Sequence, residues 1–102
     1  KHHAEALSVR EAELSMKRRV GASEDSILVA QGNLATTYEQ LGRIEEALNL
    51  YRDVYSGELR LYGIENGQTL ISATNYAMSL VDLKRFEEAK SLMRKMMPVQ
   101  RR

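Results

Sequence analysis

Leu41-Gly42-Arg43-Ile44-Glu45-Glu46-Ala47-Leu48-Asn49-Leu50-Tyr51-Arg52 is echoed, 42 positions on, by Leu83-Lys84-Arg85-Phe86-Glu87-Glu88-Ala89-Lys90-Ser91-Leu92-Met93-Arg94. Upstream of each stretch, Leu28, Asn33 and Ala35 recur at the same offset as Leu70, Asn75 and Ala77. A fixed period of this size, filled with helix formers, marks a solenoid whose units bury their apolar faces by stacking on one another. Such a chain presents a surface rather than a reaction centre. The activity expected of it is binding another protein.

Proline occurs once, at Pro98, and glycine is sparse, so few positions can interrupt a helix. Gly21 and Gly63 each precede a polar stretch, Ala22-Ser23-Glu24-Asp25-Ser26 and Ile64-Glu65-Asn66-Gly67-Gln68-Thr69, after which apolar residues return with helical spacing. Leu41-Gly42-Arg43 and Leu83-Lys84-Arg85 mark shorter turns. Gly42 suits the left-handed capping conformation, which Lys84 adopts less readily. This punctuation predicts five helices, over 3–20, 24–41, 43–61, 67–83 and 85–97, and no strand. Helices joined by short turns lie antiparallel. The expected fold class is therefore all-α: helical hairpins stacked as an α-solenoid, a single repeat domain over 1–102. It divides into a second helix of a truncated repeat (1–21), a full repeat (22–63) and a second repeat (64–102). Met16, Met78, Met93, Met96 and Met97 fall inside the expected helices and read as gap fillers between them.

At 102 residues the chain supports one domain with a modest core. Lys and Arg number 15 against 14 Asp and Glu, a net charge of +1 that gives no support to nucleic-acid binding. The absence of Cys removes disulfide scaffolds, thiolate nucleophiles and Cys-ligated zinc. No apolar run approaches the roughly 20 residues that span a bilayer, so a membrane role is not expected and the reading is a cytoplasmic protein. The start at Lys1-His2-His3 and the end at Arg101-Arg102, in an unfinished repeat, read as a piece of a longer protein.

Leu34, Ala35, Tyr38, Leu41, Gly42, Ala47, Tyr51 and Val54 follow an order that resembles the tetratricopeptide repeat, and Tyr76, Ala77, Leu80, Leu83, Phe86, Ala89, Met93 and Met96 follow it in the next unit. Each spacing has a packing reason: small Ala35 and Ala47 let paired helices approach, while Tyr38 and Tyr51 fill the volume left over. The usual repeat has 34 residues. The longer unit here, with Asn33-Leu34-Ala35 and Asn75-Tyr76-Ala77 opening alike, resembles the kinesin-light-chain type of the repeat. Lys84 in place of the turn glycine, Leu80 at the Tyr38 position and the lack of an Asp-His-Pro after either connecting glycine depart from that type. In the first unit, counting back from Gly21 sets Glu5 where a small Ala belongs, whereas matching Ala6 to Ala47 requires a one-residue deletion; the register stays open.

The resemblance implies that the first helix of each hairpin lines a concave face. Helical spacing then places Val29, Asn33, Thr36 and Gln40 on one stripe, and Ile71, Asn75, Met78 and Asp82 on the next; these are the candidate partner-binding residues. A carboxamide carries both donor and acceptor, so Asn33 and Asn75 can bracket the backbone of an extended peptide. The alternative is that each hydrogen-bonds within the fold, to a neighbouring connection for instance. The stripes carry no cation, and Glu39 and Asp82 make the groove neutral to acidic, which argues against a clamp for a C-terminal carboxylate. Lys17-Arg18-Arg19, and Arg94-Lys95 with Arg101-Arg102, read as basic helix ends facing the helix dipole, and Glu45-Glu46 and Glu87-Glu88 as acidic first turns. His2 and His3 lack a third ligand at zinc-like spacing. With no phosphate-cradling loop, no His-Glu-x-x-His and no Gly-x-Ser-x-Gly, no cofactor, metal site or catalytic residue is assigned.

Two functions remain in view: a module that binds a protein or peptide segment in the groove, and a structural or autoregulatory segment packed against another part of its own chain. Exposed apolar sides on the first and last helices add an expectation of end-to-end self-association.

Overall fold

Apolar residues at Ala47, Leu48, Tyr51, Val54 and Tyr55 recur with the spacing of one helical face, and all five are buried. That face belongs to the central helix of five. The computed structural model describes residues 2–100, with side chains described for residues 4–96. In order along the chain the helices are α1 (His2–Arg19), α2 (Glu24–Gln40), α3 (Ile44–Tyr62), α4 (Gly67–Asp82) and α5 (Phe86–Gln100). Among the described residues there is no strand. Each helix packs on its neighbours in sequence, α1 on α2, α2 on α3, α3 on α4 and α4 on α5. The result is a slab of 40 × 30 × 16 Å, one helical layer leaning on the next.

Three apolar clusters follow this order. Leu14, Ala30 and Leu34 join α1 to α2, with Leu7 packed against them. Ala35, Ala47 and Tyr51 join α2 to α3. Leu48, Tyr55, Ala73, Ala77, Leu80, Ala89, Leu92 and Met96 join α3, α4 and α5. Tyr76 reaches both of the latter clusters, and its ring lies 6.0 Å from that of Tyr55, centroid to centroid, in a tilted pair. The alanines sit where helices cross closely, as the sequence pattern requires. Gly57 marks a close approach too: a Cβ built there would stand 2.7 Å from Cδ2 of Leu28 on α2.

The helix starts carry their own signals. The Ser23 side chain accepts from the Ser26 backbone N–H at 3.2 Å, and Asn66 Oδ1 accepts from Gln68 N–H at 2.8 Å. α3 has Arg43 at its N-cap, with no side-chain capping bond. Arg43 instead forms a bidentate pair with Glu46 at 2.5 and 2.7 Å, and Arg85 repeats it with Glu88 at 2.6 and 3.0 Å. The guanidinium of Arg43 also lies 4.7 Å from the centroid of the Tyr38 ring. Leu80, at the matching position of the next unit, is buried and offers no such ring.

Both short turns close in the same way. Arg43 N–H bonds the Tyr38 carbonyl at 2.9 Å and Gly42 N–H that of Glu39 at 3.0 Å; Arg85 bonds Leu80 at 2.8 Å and Lys84 bonds Val81 at 2.9 Å. This paired closure needs a left-handed residue, and Lys84 supplies it with φ 62° where Gly42 has φ 78°. The expected reluctance of Lys84 is thus overridden by the two bonds it completes. A side chain in this region costs roughly 1–2 kcal/mol, part of which glycine returns through its looser unfolded chain. Lys84→Gly is expected to stabilise by about 0.5–1 kcal/mol, read as a thermal midpoint raised by a few degrees in a circular-dichroism melt.

Three expectations are corrected. Met16, Met78 and Met93, read as gap fillers, are exposed, and Met96 alone of the described methionine side chains is buried. α5 does not stop at residue 97: it runs through Pro98 to Gln100. Proline's fixed φ lies in the helical range; inside a helix it forfeits one backbone bond and crowds the carbonyl four residues back, a cost borne here two residues from the helix end. With α5 extended, Arg94 and Lys95 are no longer in its last turn, so the dipole reading holds for Lys17, Arg18 and Arg19 in the last turn of α1 but not for them. Arg101 and Arg102 lie outside the described residues, as do the side chains of His2, His3 and Met97. No helix among the described residues is long and apolar enough to cross a membrane.

Candidate functional site

α2 and α4 flank α3 and leave between them a depression of about 230 Å³ whose floor is α3. Val29, Gly32, Asn33 and Thr36 form one wall, Gln68, Ile71, Ser72 and Asn75 the other, and Tyr51, Val54 and Glu58 the floor, with Leu28 also lining it. The helix period explains the wall: residues three and four apart return to one side. Val29 and Ile71, 56% and 57% exposed, place apolar surface on the two walls.

Of the expected site residues, Val29, Asn33, Thr36, Ile71 and Asn75 are brought together here. Gln40, Met78 and Asp82 are exposed but lie outside the depression, farther along α2 and α4. Among the described residues neither the Asn33 nor the Asn75 carboxamide takes a hydrogen bond from the fold, whereas the Asn33 backbone carbonyl accepts from Thr37 Oγ1 at 3.1 Å. Thr36 is engaged internally. Its hydroxyl lies 3.1 Å from the Gly32 carbonyl, to which it donates, and 3.2 Å from Tyr51 Oη. Tyr51 Oη donates in turn to Glu39 Oε1 at 3.0 Å. Burial pushes the Tyr51 phenol above its usual titration range, Thr36 draws it down and Glu39 pushes it further up, so Tyr51 stays a neutral donor held in place.

The floor holds the residue that the stripe argument omits. Glu58 is 6% exposed, and its Oε1 accepts from the Ser72 hydroxyl across the α3–α4 contact. Thr69 Oγ1, also buried, donates to the Glu58 backbone carbonyl at 3.3 Å. Burial pushes the Glu58 carboxyl above the ordinary carboxylate range, the Ser72 bond partly offsets this, and the negative charge of Asp25 adds to the push. Among the described residues no cation lines the depression. Nearby charges are already matched: Arg60 pairs with Glu24 on α2, and Tyr62 donates to Asp25. Glu58 was legible as an anomaly, since it continues the buried spacing of Ala47, Tyr51 and Val54.

The arrangement offers shallow apolar contact from Val29 and Ile71, two uncommitted carboxamides and one carboxylate. Among the described residues there is no cluster of three or more His, Cys, Asp or Glu able to hold a metal ion. The geometry suits capture of a chain segment.

The tetratricopeptide repeat family model matches residues 26–102, most of the chain and all of the depression's lining. The chain belongs to the tetratricopeptide repeat family. Comparison with curated proteins and with solved structures gives no match. The repeat family accounts for the all-α stacking and makes the chain a helical repeat module of a kind commonly used for protein–protein interaction. Such repeats are typically non-catalytic.

Proposed function

We propose that this tetratricopeptide module binds an extended segment of a protein partner across the depression between α2 and α4. The observation that carries this reading is the pair of carboxamides, Asn33 and Asn75, set on the two walls of one depression and without hydrogen bonds to the fold. A carboxamide can accept from a peptide N–H and donate to a carbonyl, so two of them at fixed separation hold an extended backbone against sliding. Val29 and Ile71 beside them supply apolar contact for alternate side chains. The rigid helical hairpins fix this spacing, so the groove incurs little ordering entropy when it binds. The 42-residue offset and the paired Asn33-Leu34-Ala35 and Asn75-Tyr76-Ala77 openings support a kinesin-light-chain-like repeat. The proposed role is that of a cytoplasmic interaction module without catalytic activity.

The test is selection of a diverse peptide library on the immobilised chain, with binders retested on Asn33→Ala/Asn75→Ala. Both side chains are at least partly exposed, so the melting temperature should hold within a few degrees. Binders that share a motif and lose at least tenfold in affinity on the double variant are expected. Failure to enrich any motif, or binding indifferent to both substitutions, would transfer the groove to the alternative role of packing within a longer chain.

A further inference from the structure

The Asn pair explains how a backbone is held but leaves the floor of the depression unused. Glu58 lies there more than nine-tenths buried, with Oε1 engaged by Ser72 and Oε2 accepting no hydrogen bond among the described residues. Among the described residues Ser79 Oγ is the fully enclosed side-chain atom without a partner, so Oε2 keeps some solvent contact, and Glu58 lines the depression. A carboxylate removed from water is costly unless a cation or several donors meet it. Within the fold it has one hydroxyl. The charged group acting on it, Asp25, is negative, and among the described residues no Lys or Arg lines the site.

We propose that the depression receives the cationic side chain, Lys or Arg, of the bound segment, its charge meeting Glu58 and its remaining donors meeting the side-chain oxygens of Asn33 and Asn75. The proposal rests on the groove reading above and gives it a chemical class of ligand. Several observations converge on it. The acceptors come from three helices, α2, α3 and α4, and line one depression, so a single group with donors in several directions can engage them together. The stem of a Lys or Arg is apolar and matches Val29 and Ile71 at the rim, while only its head needs the carboxylate. Asp25 adds to the negative potential acting on Glu58 and favours cationic segments over acidic ones. Ser72 holds the carboxylate in place before any ligand arrives.

Glu58→Gln is the informative variant, because glutamine keeps an acceptor for Ser72 while removing the charge. The probes are acetylated and amidated seven-residue peptide pools with Lys, Arg, norleucine or Glu fixed at the centre and all other positions mixed. They are titrated into the isotope-labelled chain and followed by amide chemical shifts. The Lys or the Arg pool is expected to bind at least tenfold more tightly than the norleucine pool, moving the amides of Asn33, Ser72 and Asn75, and the Glu pool to bind weakest. Which of the two cationic pools leads identifies the side chain. On Glu58→Gln the cationic advantage should shrink to within about twofold. Equal binding of the cationic and norleucine pools, or an advantage that survives Glu58→Gln, overturns the proposal but leaves the peptide groove standing. No binding by any pool overturns both readings. Should Glu58→Gln melt markedly lower, the wild-type shifts decide: perturbation centred on Glu39, Gln40 and Asp82 rather than on Ser72 overturns the assignment.

Discussion

Leu48→Ala is expected to lower the unfolding free energy by about 2–5 kcal/mol, a large part of what a chain of this size possesses. Leu48 is 2% exposed, among the most enclosed large side chains, and it sits in the cluster joining α3 to α4 and α5. Its cluster holds Ala73, Ala77 and Ala89 together with the longer Tyr55, Leu80, Leu92 and Met96. Ala73, Ala77 and Ala89 have no side chain long enough to swing into the space a truncated leucine leaves, while Leu80, Leu92 and Met96 can fill it only in part, so the cost should fall within that range. Because each helix packs on its sequence neighbours, the loss cannot be shared with α1. Urea denaturation followed at the helix band should show the midpoint falling by about 1–2 M. Leu61→Ala, at a position 40% exposed on the same helix, should change it little and serves as the comparison. A Leu48→Ala midpoint equal to that of Leu61→Ala would mean the α3–α4 contact is not where stability resides.

The second large effect is expected at Gly57, and its sign depends on the size of the replacement. A Cβ there meets Cδ2 of Leu28 at 2.7 Å and Cδ1 at 3.1 Å, both the free end of a side chain that is itself buried. For Gly57→Ala, the helix gains about 1 kcal/mol from leaving glycine, while Leu28 must turn aside. These terms nearly cancel. Gly57→Leu adds three further carbons to a contact with no room, and overpacking of this kind costs typically 1–3 kcal/mol beyond any helical gain. It should also disable the groove, because Leu28 lines the depression and is the atom group displaced. The expected outcome is a near-wild-type melt for Gly57→Ala, and for Gly57→Leu a thermal midpoint lower by several degrees with loss of selected peptides. A Gly57→Leu chain that melts as wild type would show that α2 and α3 separate easily.

The repeat was readable in the sequence because its reporters are pairwise: Ala35 with Ala77, Arg43 with Arg85 and Glu46 with Glu88 state the same local structure twice, and the structure returns both copies of the Arg–Glu staple. Helix starts were legible from the polar stretches after Gly21 and Gly63, within which the structure assigns the capping to Ser23 and Asn66. The end of α5 was not, since a proline near a terminus can be carried by the bonds on either side of it. Lys84 shows the same limit: propensity disfavours its backbone conformation, and the turn's two hydrogen bonds decide it. For the depression, spacing along single helices found the walls, Val29 with Asn33 and Ile71 with Asn75. Its floor comes from α3, which a stripe drawn on the first helix of each hairpin never visits. Gln40 and Asp82 fell outside because helical periodicity gives the direction in which a residue points but not how far along the groove its partner helix follows. Tyr51 was readable as a volume filler; its hydroxyl's link to Thr36 and Glu39 needs three dimensions.

The succession in which each helix leans on the one before has a consequence for how the chain is made. Every layer meets a surface completed immediately upstream, so no contact waits for a distant segment to be found by diffusion. Closing a short turn is the only search each step requires, and it takes a small fraction of the time in which the next residues are synthesised. A nascent chain of this kind can therefore consolidate hairpin by hairpin as it emerges, each new apolar face waiting only for the helix that follows it.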